Sequence, residues 1–243
     1  MQRIVIGVLF LLGSGVVAML YLVAANAATP EEGRLALALA RMATGLWLLW
    51  TCLFGALGLA FADPVARWIG RRRSDWRIVF VLFCIALAGL EEAVTTGMTN
   101  LGPAFGVALG EIYITASANW FDVVFLHSVI VIFPYFIALA LILSRWNFSP
   151  FAVFLAFGVV GTLAEALYSA NVQGLVMFPF WAFVYGLMVW LPARCLPPRP
   201  LARKPGVLAH LLLAPGLFLL AFPLVVLIVW LIVGVLGHPD VHF

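Results

Sequence analysis

The sequence predicts an all-α fold: a polytopic membrane helix bundle of about seven transmembrane helices, forming one integral membrane domain over residues 1–243, with the N-terminus cytoplasmic and the C-terminus outside. Three observations predict it. The 243-residue chain is 65% hydrophobic and 9% charged, with a mean hydropathy of +1.17, which leaves too little polar surface to cover a soluble domain. Its apolar residues fall into seven stretches near the roughly 20 residues a helix needs to cross the hydrocarbon core, at about 4–24, 35–61, 77–97, 120–143, 150–169, 174–191 and 208–236. The basic residues gather in loops that a seven-span threading puts on one side, as the positive-inside bias requires.

The first stretch ends in "AANAA" (Ala24 to Ala28), which resembles a small-residue cleavage site. Its apolar length exceeds the 7–15 residues typical of a signal h-region, so it is read as a helix; cleavage would leave the sidedness of the rest unchanged. Between the second and third stretches, "RWIGRRRSDWR" (Arg67 to Arg77) carries five Arg. Arg145 follows the fourth stretch, and three Arg and one Lys follow the sixth, in "ARCLPPRPLARKPG" (Ala193 to Gly206). With Arg3, these loops agree on one cytoplasmic side. The outer side receives "NAATPEEGR", the connection around 98–119, the turn near Asn171 and the tail "GHPDVHF". The net charge of +3 reports these loops, so no nucleic-acid partner is expected; the partner is the lipid bilayer of the cell membrane.

Pro150 behind Ser149 marks the first turn of the fifth helix. Pro134, Pro179, Pro215 and Pro223 read as interior prolines, tolerated where neighbouring helices re-satisfy the freed carbonyls. Cys52, Cys84 and Cys195 lack paired spacing, which argues against a disulfide framework or a metal knuckle.

Depth singles out the candidate site. Glu91 and Glu92 lie about 14 residues along the outward-running third helix, roughly 20 Å from the cytoplasmic side. His127 lies about seven residues down the fourth helix, near 10 Å below the outer boundary, and Glu165 about 15 residues up the fifth. Arg41 is about six residues down the second helix. These five ionisable groups share one layer in the outer half, whereas the inner half is almost purely apolar. Thr95, Thr96, Thr99 and Asn100 continue the stripe of the Glu pair outward. On the fifth helix Gly158, Gly161, Thr162, Glu165, Tyr168 and Ser169 recur at helical spacing, and the small ones let a neighbouring backbone approach Glu165. The outer connection "LGPAFGVALGEIYITASANW", with Glu111 and Tyr113, reads as a lid over the layer, since irregular backbone at membrane depth must lie against protein or water.

Polar groups inside a membrane mark functional sites by default. Glu91, Glu92, His127 and Glu165 are the candidate catalytic residues: a carboxylate beside an imidazole serves as general base, which suggests a membrane-embedded hydrolase of a lipid-like or membrane-bound substrate. Two Glu plus a His also form a set that holds a divalent metal with an open position, and Glu92, His127 and Glu165 are the candidate ligands. His210 falls on the cytoplasmic side, while His238 and His242 lie on the outer tail, within reach of the mouth.

The Glu91–Glu92 pair resembles the opening Glu-Glu of the intramembrane CAAX-type proteases. That motif continues to an Arg where Thr96 stands here, and Val123 replaces a Phe four residues before His127, so the similarity covers two residues and assigns no family.

Each group also has a structural role to weigh. Arg41 with Glu91 or Glu92 forms, on this reading, a structural ion pair joining the second and third helices, and His127 and Glu165 serve equally well as helix glue. A proton- or cation-coupled transporter is the alternative in which the carboxyls relay charge, although neither an internal repeat nor a polar path through the inner half supports it. A non-catalytic scaffold or accessory subunit is the third. A retinal protein is excluded, because the only lysine, Lys204, lies in a cytoplasmic loop.

Overall fold

The computed structural model describes residues 2–71, 74–168 and 172–238. Ser169, Asn171 and His242, together with the side chain of Tyr168, lie outside that description. Among the described residues every element is helical, and seven helices are long and apolar enough to cross a membrane. They are α1 (Gln2–Ala25), α2 (Pro30–Gly70), α3 (Trp76–Asn100), α4 (Trp120–Arg145), α5 (Pro150–Tyr168), α6 (Phe178–Arg194) and α7 (Leu213–Val235). The protein is a multi-pass membrane protein.

The expected spans are all present, with ends set by local chemistry. The helix α2 starts five residues before the apolar stretch because Thr29 caps it: its hydroxyl accepts the Glu32 N–H at 3.2 Å, Pro30 occupies the first turn, and Glu31 and Glu32 complement the helix dipole. It then runs 41 residues, roughly 60 Å at helical rise and about twice the hydrocarbon core. Its far end is polar, and Asp63 there pairs with Arg194 at 3.1 Å. The helix α5 begins as expected, with the Ala152 N–H donating to the Ser149 hydroxyl beside Pro150. Pro134 and Pro223 lie inside helices, but Pro179 lies in the first turn of α6, where its missing N–H costs nothing.

Among the described residues three helices contain π-helical turns: Trp47–Phe54 in α2, Val123–His127 in α4 and Trp230–Val235 in α7. The last two fall beside the candidate site.

Small residues set the closest helix approach. A Cβ on Gly158 would lie 2.7 Å from the Ala182 Cα, one on Gly186 2.5 Å from the Phe154 ring, and one on Gly161 2.2 Å from the Tyr185 ring. The helices α5 and α6 therefore pack backbone against backbone, as the Gly158 and Gly161 spacing predicts. Around them the core is aromatic: Phe136, Phe157 and Phe180 are almost completely buried, and the buried Trp50 indole donates to the Val184 carbonyl at 3.0 Å.

The basic loops meet at one end of the bundle. The Arg199 guanidinium donates to the Leu143 carbonyl and to Asn147 Oδ1, both at 2.7 Å, and lies over the Trp76 ring. The Arg203 N–H donates to the Arg145 carbonyl at 2.9 Å. At this end burial also pushes the Cys195 thiol up to about 11. Cys52, Cys84 and Cys195 are all free.

Candidate functional site

Away from the basic end, a cavity of about 500 Å³ lies among α3, α4, α5, α6, α7 and the 101–119 connection. Glu91, Glu92, His127 and Glu165, which the sequence places at one depth, all line it. The volume matches small-molecule pockets, which run about 300–1,000 Å³.

Each carboxyl has a distinct setting. Glu92, 7% exposed, accepts from the Thr95 and Thr115 hydroxyls, both at 3.0 Å, and Ser128 is a further hydrogen-bonding neighbour. The Thr that serves Glu92 is thus one turn on at i+3, not Thr96, whose hydroxyl is buried without a partner among the described residues. Glu91 is 3% exposed and lines the same cavity as Glu92 and Glu165. Glu165 accepts a hydrogen bond from the Tyr185 hydroxyl. The absence of a side chain at Gly161 makes that bond geometrically available, because the Tyr185 ring lies where a Cβ would be and reaches Glu165 one turn further on. Tyr185 carried no signal in the sequence beyond lying in an apolar span.

The connection covers the polar end, as expected of a lid. Thr115 reaches down to Glu92, the Ile114 N–H donates to the Thr99 hydroxyl at 3.3 Å, and Asn100 holds the Ala118 carbonyl at 2.8 Å. A small second core of Ala38, Met42, Met98 and Val107 fastens it to α2 and α3. Two arginines spaced two turns apart on α2 complete the attachment. Arg34 donates to the Gly106 carbonyl at 3.0 Å and pairs with Glu31 and Glu111, and Arg41 donates to the Phe105 carbonyl at 2.9 Å. The Arg34 guanidinium and the Ala108 N–H hold the Glu111 carboxyl down at about 2.

This corrects the expected role of Arg41. It is exposed and makes no ion pair with Glu91 or Glu92 among the described residues; the folded-back connection offers it a carbonyl on the outer face of α2. The three candidate metal ligands, Glu92, His127 and Glu165, do not form a close group among the described residues, whereas Asp122, His127 and His238 each offer a ligand atom within 4.8 Å of the others.

The apolar part of the cavity is walled largely by α7. Phe222, Val229 and Val233, with Leu167 of α5, line the cavity and are also exposed on the outside of the bundle.

No family model, no curated protein and no solved structure matches this chain. The functional reading rests on the geometry of the site.

Proposed function

We propose that the chain is a membrane-embedded hydrolase acting on a lipid-like or membrane-bound substrate, with Glu91, Glu92, His127 and Glu165 as its catalytic groups. The observation that supports this best is their convergence on one cavity that is polar at its covered end and apolar where it meets the bilayer. Such a vestibule suits a substrate whose apolar tail lies in lipid and whose scissile ester or amide reaches the carboxyls.

Several carboxyl groups facing one another divide into donors and acceptors of protons, because like charges at short range do not all ionise. In the proposed reaction one carboxylate takes a proton from water while the water oxygen bonds to the substrate carbonyl carbon. A protonated carboxyl or imidazole then gives its proton to the leaving oxygen or nitrogen as that bond breaks. The two proton transfers balance, and no oxidant or reductant is needed. Thr95, Thr115 and Tyr185 are positioning residues, fixing the rotamers of Glu92 and Glu165.

The basic loops at the opposite end support the orientation of this reading. By the positive-inside bias they face the cytoplasm, so the cavity lies in the outer half of the cell membrane.

The test is hydrolysis itself. Purified protein in nanodiscs is incubated in oxygen-18 water with a panel of lipid esters, lipid amides and lipid-anchored peptides, and the products are weighed by mass spectrometry. The expected result is one product carrying the heavy oxygen, lost in Glu165→Gln and His127→Asn while Glu165→Gln melts within about 1 kcal/mol of wild type, the scale of one membrane hydrogen bond. Proton flux in proteoliposomes without any labelled product, abolished by the same variants, would replace the hydrolase with a carrier. Unfolding of both variants with no labelled product in wild type would make the cluster structural.

A further inference from the structure

At the rim of the cavity, Asp122 stands between two imidazoles. Its carboxylate oxygens lie 2.8 Å from His238 Nε2 and 3.4 Å from His127 Nε2, and the two rings meet edge to face with centroids 4.8 Å apart. The three side chains are between 9% and 22% exposed. None of this follows from ordinary helix geometry. Residues i and i+5 of an α-helix point about 140° apart, at roughly 100° per residue. Asp122 and His127 share a face because the intervening turn is π-helical, closed by the Ser128 N–H donating to the Val123 carbonyl five residues back. Such turns are rare and concentrate at functional sites.

The third member arrives by a second local device. The π-helical turn Trp230–Val235 ends α7, and Gly237 then takes a left-handed conformation with φ 64°. That reversal, open to glycine at little cost, lets the His238 N–H donate to the Ile232 carbonyl at 3.1 Å and swings the His238 ring back onto Asp122 of α4. A segment at the middle of the chain and one near its C-terminal end thus deliver two nitrogens and one carboxylate to one point.

We propose that Asp122, His127 and His238 bind a divalent first-row transition ion of the zinc class, and that the bound ion fastens the C-terminal turn of α7 to α4 at the outer rim of the cavity. Two imidazoles and a carboxylate are a borderline-soft donor set suited to Zn²⁺ and its neighbours rather than to Mg²⁺ or Ca²⁺. Tetrahedral coordination at about 2.0–2.2 Å sets ligand atoms roughly 3.4 Å apart. The observed 2.8 and 3.4 Å separations lie at or just below that value, and with all three ligand atoms within 4.8 Å of one another the widest pair closes by at most about 1.4 Å. Three protein ligands leave a further coordination position, and His127, which also lines the cavity, links the ion to the chamber. The proposal does not depend on hydrolysis, since the ion binds whether the chamber cleaves, carries or merely holds its ligand.

The test uses the full chain, purified without a polyhistidine tag and exchanged into metal-free buffer, then loaded with Zn²⁺ or Co²⁺ alone. Elemental analysis is expected to give about one zinc per chain, and cobalt to give visible ligand-field bands. His238→Ala and Asp122→Asn should each weaken binding by more than about 10- to 100-fold, the cost of losing even an outer-shell partner, whereas Glu165→Gln should bind as wild type. Chelator should lower the melting temperature of wild type but not of His238→Ala, which separates loss of the ion from loss of the fold. Folded wild type without stoichiometric metal or cobalt bands would overturn the proposal, as would His238→Ala binding the ion as tightly as wild type. A labelled product in oxygen-18 water that survives both outcomes would leave the hydrolase reading intact.

Discussion

Replacing Gly161 by Ala tests the link between helix packing and the candidate site. A Cβ there would stand 2.2 Å from Tyr185 Cδ2 and Cγ and 2.8 Å from its Cβ. Carbon atoms rest about 3.5–4.0 Å apart, so the ring must retreat by roughly 1.5 Å or the helices must separate. Overpacking of this kind costs about 1–3 kcal/mol. The same retreat pulls the Tyr185 hydroxyl from Glu165, forfeiting up to about 1–2 kcal/mol of membrane hydrogen bond. The expected loss is therefore about 2–5 kcal/mol in equilibrium unfolding in mixed micelles, accompanied by loss of any activity. Gly158→Ala, which meets the Ala182 backbone at 2.7 Å, should destabilise through packing alone. Gly7→Ala meets nothing within 4 Å and should fall within about 1 kcal/mol of wild type, on the stabilising side by helix propensity. Pairing Gly161→Ala with Tyr185→Ala should recover part of the loss, as expected for directly touching residues. A Gly161→Ala protein as stable as Gly7→Ala, or strict additivity with Tyr185→Ala, would refute the apposition of α5 and α6 at the site.

The remaining predictions concern the lid and the threading. A reporter fused after Phe243 should read outside the cell and one near Gly70 inside; the opposite pair of results would invert the bundle. Arg41→Ala should loosen the 101–119 connection, seen as faster hydrogen exchange there, and its effect should add to that of Glu91→Gln or Glu92→Gln, since Arg41 holds the Phe105 carbonyl and no carboxyl. Any rescue by either Gln would restore the ion pair that the structure denies. Glu111 is held down at about 2 from an ordinary 4.5, so its contribution to lid attachment is complete above about pH 4.5 and is lost as the pH falls toward about 2. Hydrogen exchange across 106–114 should rise over that window in wild type and lack the step in Arg34→Gln.

The parts of the site that were legible in the sequence were those fixed by depth and by regular helix geometry. Hydropathy and basic loops order the spans, and a rise of about 1.5 Å per residue converts position into level, so the meeting of Glu91, Glu92, His127 and Glu165 around one cavity needed no knowledge of their contacts. Gly158 and Gly161 were legible for the same reason, since helical spacing puts them on the face that meets α6. Arg41 was misread because level does not determine partner: at the right depth it met a carbonyl of a connection whose path over α2 no periodicity encodes. His238 was legible only as a tail residue within reach of the mouth, and its grouping with Asp122 and His127 was not, because the three meet only where the backbone departs from the α-helix, through a π-helical turn in α4 and a left-handed glycine after α7. Local departures that cost stability and gather ionisable side chains are where function is expected to concentrate. The rim of the cavity is such a place, and the inner half of the bundle, regular and apolar, is not.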